Sequence, residues 1–284
     1  MRSSPPVDGS AAASHYHLTA RSLLFVPGNR PDRFAKAAAT AADLVIVDLE
    51  DAVPEDEKTA ARDFVTRWLS AGGRCAVRVN GARSVHYQHD VAAVAALPGL
   101  QAVVVPMADD PAALAALHQR LGPGVEIVAL IETALGVVRA LDLASTPGVS
   151  RLAFGHLDFA ADIGSSIGNE AMLMARSTLV VASRAAGLPG PVDGVTTALD
   201  DPAICGADAA QARRLGFTGK LCIHPNQVQT VNAAFSPSPE EVIWARRMVA
   251  VSIAGGASRV DGHMVDAPVI RTAQNILARA KERT

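Results

Sequence analysis

The feature that most constrains this chain is an alternation. From Arg21 onward, short β-branched apolar runs take turns with alanine-rich stretches of helical character. The strand candidates are 22–26, 44–48, 75–79, 102–105, 126–131, 151–154, 192–196 and 220–223. Helix candidates between them include 33–40, 55–69, 111–121, 171–186 and 202–215. Pro54 before the acidic turn Glu55, Asp56, Glu57, and Asp109-Asp110 before Pro111, are helix-start signals. Near-continuous apolar strands separated by helices imply a parallel sheet covered on both faces. Eight of them predict an α/β fold closed as a (β/α)8 TIM barrel. An open doubly wound sheet is the structural alternative. It lacks a glycine-rich fingerprint, because "PGNRPDR" after the first strand is neither G-x-G-x-x-G nor a P-loop. Pro189 and Pro191 crowd the seventh strand and make it the weakest of the eight.

The 284 residues are 49% hydrophobic and 19% charged, enough apolar material for a large core. A net charge of −2 leaves no electrostatic footprint for nucleic acid or an anionic membrane surface. No apolar run approaches the ~20 residues that span a bilayer. Cys75, Cys205 and Cys222 are far apart and form no CxxC pair, so they read as buried thiols of a cytoplasmic protein. The first 20 residues, rich in Ser, Pro and Ala, read as a loose tail, and His15 and His17 within it as unimportant for metal binding.

Barrel active sites form where the strands end, at their C-terminal edge. The second strand runs straight into "DLED", placing Asp48, Glu50 and Asp51 behind four apolar residues. The third carries Arg78 and ends in Asn80; the fifth ends in Glu132; the sixth leads through His156 to Asp158; the seventh brings Thr196 and Thr197; the eighth brings His224. Pro27-Gly28 after the first strand is a turn able to present backbone amides. Carboxylates converging on one mouth repel each other unless a cation neutralises them. With hard oxygens in view and no cysteine nearby, the residue types select Mg²⁺, or Mn²⁺, over zinc.

The segments "RSLLFVPGNRPDRFAKA", "ADLVIVDLEDAVPEDEKTAAR", "VRVN", "ALIETALGV", "FGHLDFAADIG", "GFTGKLCIHPNQV" and "DGHMVDAPVI" occur in order from Arg21 to near the C-terminus. In these the chain resembles the β-subunit of citrate lyase and the citrate-lyase-β-like proteins, within the malyl-CoA and citramalyl-CoA lyase superfamily of HpcH/HpaI aldolase fold. The resemblance implies a TIM barrel over 21–254 with a C-terminal helical lid extension at 255–284. It implies Mg²⁺ on Glu132 and Asp158, Arg78 binding substrate, and Glu50 and Asp51 as a supporting acidic wall. The substrates it implies are CoA thioesters of 3-hydroxy diacids, cleaved to an acyl-CoA and a 2-oxo acid.

Asp266 resembles a lid acid that reaches a neighbouring subunit, making the protein a homo-oligomer, a trimer; the plainer reading is a helix N-cap. Pro27 and Gly28 would hold a substrate carboxylate, and His224 would touch CoA or cap the helix after it. Asp48 would point inward as support, and Thr196 and Thr197 would fill the barrel or a turn. The chain departs from the family pattern at His156-Leu157, where Ala-Glu is usual, and at Met107, where a lysine commonly follows the strand-4 proline. His156 would support the metal from behind, act as a general base or pack at the strand end, and the loss of the lysine's charge at Met107 implies a divergent specificity. Two rival readings are a metal-dependent 4-hydroxy-2-oxo acid aldolase that does not use CoA, and a non-catalytic subunit of a lyase complex.

Overall fold

The computed structural model describes residues 19–253, 258–260 and 263–281. His15, His17 and nearly all of the expected tail lie outside the described residues. Eight parallel strands form a closed barrel in chain order: β1 (Ser22–Pro27), β2 (Leu44–Asp48), β3 (Cys75–Arg78), β4 (Leu100–Val105), β5 (Glu126–Ile131), β6 (Val149–Phe154), β7 (Val192–Asp193) and β8 (Gly219–Cys222). Closure is between β1 and β8, with Leu23 opposite Leu44 on one side and Leu221 on the other. The open sheet is thereby excluded.

The side-chain period of two sorts each strand into an inner and an outer set. Leu44 and Ile46, Ala102 and Val104, and Val128 and Leu130 belong to one buried cluster that also takes in Leu23, Val192 and Leu221. Layers of branched side chains interleaved with alanines fill the barrel and make it a packed core. The alternate residues, such as Val45, Val47, Val103 and Ile127, are equally buried beneath the surrounding helices.

Those helices are α1 (Phe34–Ala38), α2 (Lys58–Ser70), α3 (Tyr87–Val94), α4 (Pro111–His118), α5 (Ala134–Val138), α6 (Ala140–Ala144), α7 (His156–Ile163), α8 (Asn169–Ala185), α9 (Pro202–Leu215) and α10 (Pro225–Phe235). Their starts follow local chemistry. Asp110 caps α4 by accepting from Ala112 N at 3.0 Å, and Asp201 caps α9 by accepting from Ala203 N at 2.9 Å; each precedes an N1 proline.

Strand β7 is two residues long where five were expected. Beyond Asp193 side chains take over from the ladder. Lys220 Nζ donates to the Gly194 carbonyl at 2.5 Å, and Gln227 Nε2 to the Thr196 carbonyl at 2.7 Å. Thr196 is a turn donor, bonding Asp208 at 2.7 Å.

Two compact units divide the chain at Asn232 and Ala233, earlier than the expected boundary at 254/255. In the second, α11 (Pro239–Ile253) packs on α12 (Ala267–Lys281) through Ala245, Met248, Ala273 and Ile276. Antiparallel β9 (Ser258–Val260) and β10 (His263–Val265) join the two helices. No helix among the described residues is long and apolar enough to cross a membrane.

Candidate active site

Register builds the site. Asp48 and Arg78 are paired residues of β2 and β3, so their side chains leave the sheet on the same face. Arg78 Nε donates to Asp48 Oδ1 at 2.7 Å and Nη2 to Oδ2 at 2.6 Å, a two-pronged clasp with Asp48 only 1% exposed. On the other edge of the guanidinium, Nη1 donates to Asp51 at 3.2 Å and stands 2.9 Å from Glu50 Oε2. The Phe25 ring lies 4.8 Å from the guanidinium carbon. Burial works against the charge on Arg78, yet Asp48, Glu50 and Asp51 outweigh it and raise the pKa. The acidic stretch therefore faces an arginine, and the clasp by Asp48 is closer than the contact of Glu50 or Asp51.

The turn carrying these acids is locked from behind. Lys58, at the start of α2, gives its three N–H groups to the Leu49 carbonyl, the Glu50 carbonyl and Asn80 Oδ1, at 2.9, 2.8 and 2.8 Å. Asn80 Nδ2 in turn bonds Asp90 at 2.6 Å, and Asp90 accepts from Arg62 Nε at 2.9 Å. Asp48 itself caps the turn, accepting from Glu50 N and Ala52 N. Lys58 carries no sequence signal that sets it apart from any lysine early in a helix.

Across the barrel, Gly155 N donates to the Ile131 carbonyl at 2.9 Å, which sets Glu132 beside the start of α7. Glu132 is 3% exposed, and its Oε1 accepts from Met107 N at 2.7 Å. Burial pushes its pKa up to about 8, with Glu50 and Asp158 adding to the rise. Burial likewise raises Glu50 to about 7, and raises Asp158, with Asp51 as the second cause. His156 is driven down to about 4 by burial, so its imidazole is neutral at pH 7. Its Nδ1 is buried without a hydrogen-bond partner, pressed against Gly194, where a Cβ would collide with it.

Arg78, Glu132, Asp158, Asp48 and Asp51 line one cavity of about 290 Å³ at the strand ends, with Phe25, Leu130, Phe154 and Leu157 among its apolar walls. A second cavity of about 520 Å³ shares Phe25 and Ile223 with it and is lined by Pro27, Arg30, Arg33, Lys36 and His224. Neither Pro27 nor Gly28 takes the expected role of holding a substrate carboxylate by its amide. Gly28 does not offer its amide to a ligand, because that N–H is spent on the Asp48 carbonyl at 2.7 Å. Pro27, having no N–H, contributes only a wall. The basic residues were missed, although "NRPDRFAK" showed three cations at helical spacing. His224 faces this cavity and also caps α10, its Nδ1 accepting from Asn226 N at 3.2 Å.

The donor set fits a hard divalent cation that keeps open positions. Among the described residues no group of three or more His, Cys, Asp and Glu side chains could hold a metal by itself. Glu132 and Asp158 line the same cavity, Asp158 helping to raise the pKa of Glu132, and buried Glu50 Oε2 has no hydrogen-bond partner despite its nearness to Arg78. Mg²⁺ is held in this manner, by one or two carboxylates with water and substrate completing the octahedron. A structural zinc site, closed by four N or S ligands, is not what these residues form.

The family model described as HpcH/HpaI aldolase/citrate lyase matches residues 21–225. The chain belongs to this family. Among HpcH/HpaI relatives, a citrate lyase subunit beta-like protein of Deinococcus radiodurans is 37% identical over 276 residues, 91% of this chain and 96% of the relative. A (3S)-malyl-CoA thioesterase of Cereibacter sphaeroides is 37% identical over 272 residues, 92% of this chain and 94% of the relative. The crystal structure of CitE from Mycobacterium tuberculosis, in complex with magnesium, acetoacetate and coenzyme A, superposes with a TM-score of 0.82 at 35% identity. It covers 93% of this chain and 98% of its own.

Asp266 lies in the second unit and is exposed. There it caps α12: Val269 N donates to its Oδ1 at 3.3 Å and Ile270 N to its carbonyl at 3.0 Å.

Proposed function

We propose that the protein is a Mg²⁺-dependent carbon–carbon lyase acting on the CoA thioester of a 3-hydroxy diacid, such as a citramalyl-, malyl- or citryl-CoA. It cleaves or forms the bond between an acyl-CoA and a 2-oxo acid. The observation that carries this reading is the pairing of Glu132 with Asp158 on a cavity whose one arginine, Arg78, is already claimed by three other carboxylates. An ion is the missing counter-charge, and Mn²⁺ would substitute for Mg²⁺.

The divalent ion supplies Lewis-acid chemistry and a template for a substrate carboxylate and hydroxyl. The chain's own groups do the rest. Glu132 and Asp158 hold the ion. Asp48 accepts two of the five N–H donors of Arg78 and Asp51 a third, so the guanidinium keeps N–H capacity on the cavity side. Held there, and always charged, it stabilises the thioester oxygen that gains negative charge as the carbon–carbon bond breaks. Glu50 and Asp51 brace Arg78 and offer acceptor oxygens to cavity water. Phe25, Leu130, Phe154 and Leu157 exclude bulk water and strengthen these charges. In the adjoining cavity Arg30, Arg33 and Lys36 supply the cations that the phosphates of a CoA arm require, with the His224 imidazole on the same wall.

The test is a panel of CoA thioesters incubated with the purified protein, with products separated by chromatography. A 2-oxo acid and a shorter acyl-CoA should appear with Mg²⁺ and vanish on chelation; turnover that survives chelation sinks the reading. The relative named a thioesterase favours a second outcome, free CoA with an intact hydroxy diacid, which the same separation detects. Turnover of pyruvate and a free aldehyde without CoA would support the aldolase alternative. A non-catalytic subunit would have no physical need for a costly cluster of buried carboxyls.

We also propose a cytoplasmic homo-oligomer, a trimer. Its three cysteines are free and buried. Helix α5 packs on α7 and α8, and these carry exposed Leu135, Val138, Ile163, Leu173, Met174 and Val181. Asp266 acting on a neighbouring copy is tested by mixing two inactive variants, Glu132→Ala and Asp266→Asn: activity that returns on mixing requires a shared site.

A further inference from the structure

We infer that the main chain at Met107, with the bare Cα of Gly155 facing it, positions Glu132 to take its divalent cation. Met107 is then a positioning residue that acts through its amide, its side chain being dispensable. The inference rests on the reading of Glu132 as a metal ligand.

Two independent features point the same way. The first is backbone strain. Met107 has φ +49°, the one non-glycine residue with a positive φ among the described residues. A residue with a Cβ adopts that left-handed region only when its surroundings impose it, and such residues gather at functional sites. Packing of the side chain is not what imposes it, since Met107 is 43% exposed. What the turn achieves is a change of direction directly after β4 and Pro106. The Met107 N–H then points at Glu132 Oε1, 2.7 Å away, and the next amide, Ala108 N, bonds the Leu130 carbonyl at 3.1 Å. The turn is thus tied to the end of β5 at Leu130 and to Glu132 just beyond it.

The second feature is space. Gly155 has φ −94°, which any residue can adopt, so backbone conformation does not call for glycine there. Its surroundings do. A Cβ at Gly155 would collide with Glu132 Oε2 and come within 2.7 Å of Glu132 Cβ. The carboxylate is therefore clamped, with one oxygen on an amide and the other laid against a glycine. A ligating carboxylate whose second oxygen is hydrogen-bonded presents the first in a fixed direction. Losing such a partner costs about 10–100-fold in metal affinity.

The test reads Mn²⁺ binding to metal-stripped protein by electron paramagnetic resonance, independently of turnover. Replacing the amide between residues 106 and 107 by an ester removes the donor and keeps the side chain; affinity should fall about 10–100-fold. Met107→Gly keeps the donor and relieves the left-handed strain. It should bind within about twofold of wild type, with a thermal midpoint no lower. Gly155→Ala, which pushes on the other oxygen, should weaken binding over the same range as the ester. An ester variant that binds like wild type overturns the inference, as does a Met107→Gly variant that loses as much as the ester. Wild-type protein that binds no Mn²⁺ overturns the metal reading itself, and this inference with it.

Discussion

Two buried charge clusters of the barrel unit are built on opposite principles. Between α8 and β7, Arg176 of the helix clasps Asp193 of the strand through Nε and Nη2 at 2.9 and 3.3 Å, and Lys220 stands 4.0 Å from the same carboxylate while donating to the Gly194 carbonyl. That cluster closes on itself. At the mouth, Asp48, Glu50, Asp51, Glu132 and Asp158 share one guanidinium, and the pKa of both glutamates is pushed up toward neutrality. That cluster is left in need of positive charge. A self-satisfied ion pair is architecture, whereas an unbalanced set of buried acids is kept for something that arrives from outside.

The contrast is sharpest when one carboxylate is removed from each cluster. Glu132→Ala should lower kcat/KM by at least about 10³-fold, because an ion that stabilises developing charge contributes several kcal/mol. The metal-free protein should melt no earlier than wild type, since the change deletes a desolvated carboxyl from among like neighbours. Asp193→Ala should do the reverse. Stranding Arg176 and Lys220 costs about 3–5 kcal/mol of stability, while Mn²⁺ affinity at a temperature where the variant is folded stays near wild type. Calorimetry and metal titration on the two variants check both halves, and a Glu132→Ala protein that unfolds early would erase the distinction.

The two clusters also differ in how much of each the sequence disclosed. All eight strands were legible because an apolar run between helical stretches has one physical outcome, a buried parallel strand. The clustering of Asp48, Arg78, Glu132 and Asp158 was legible because barrel strands deliver their last residues to a common edge. The second cavity was less so, since Arg30, Arg33 and Lys36 resemble any solvated helix face until a wall opposite them is known. Met107 was invisible in its actual role. A positive φ at a non-glycine residue is imposed by the tertiary fold and leaves no mark on residue type. The same holds for Lys58, whose three acceptors come from two separate loops.

A pH titration of stability separates the clusters further. A carboxyl whose pKa is higher in the fold than in the unfolded chain costs nothing while protonated in both states, and its cost grows as the unfolded chain ionises first. For Glu132 that window runs from the ordinary glutamate value of 4.5 to about 8, and for Glu50 from 4.5 to about 7. Metal-free protein should lose stability as pH rises through this window. Excess Mg²⁺ should flatten the loss by binding the ionised form. Glu132→Gln should flatten it in part without any metal, and urea midpoints that are level in pH for the wild-type protein would remove the basis for treating the mouth as unbalanced.

The smallest effect lies inside the mouth, where one arginine meets three carboxylates of different burial. The side chain of Asp48 is 1% exposed, that of Glu50 18% and that of Asp51 67%. Proximity alone would rank Asp51 as a full partner of Arg78, yet water screens it and competes for it. Exposed pairs of this kind contribute about 0–1 kcal/mol. Asp51→Asn should therefore shift the urea midpoint by no more than that, and its effect should fade further at high salt. Asp48→Asn should cost several times more, because it halves a desolvated two-pronged clasp and frees the cap on the Glu50 turn. Equal losses from the two variants would mean that the mouth is wetter than its burial suggests. The charge excess of the mouth over the flank would then be screened away, leaving the Glu132 and Asp158 pair alone to call for an incoming cation.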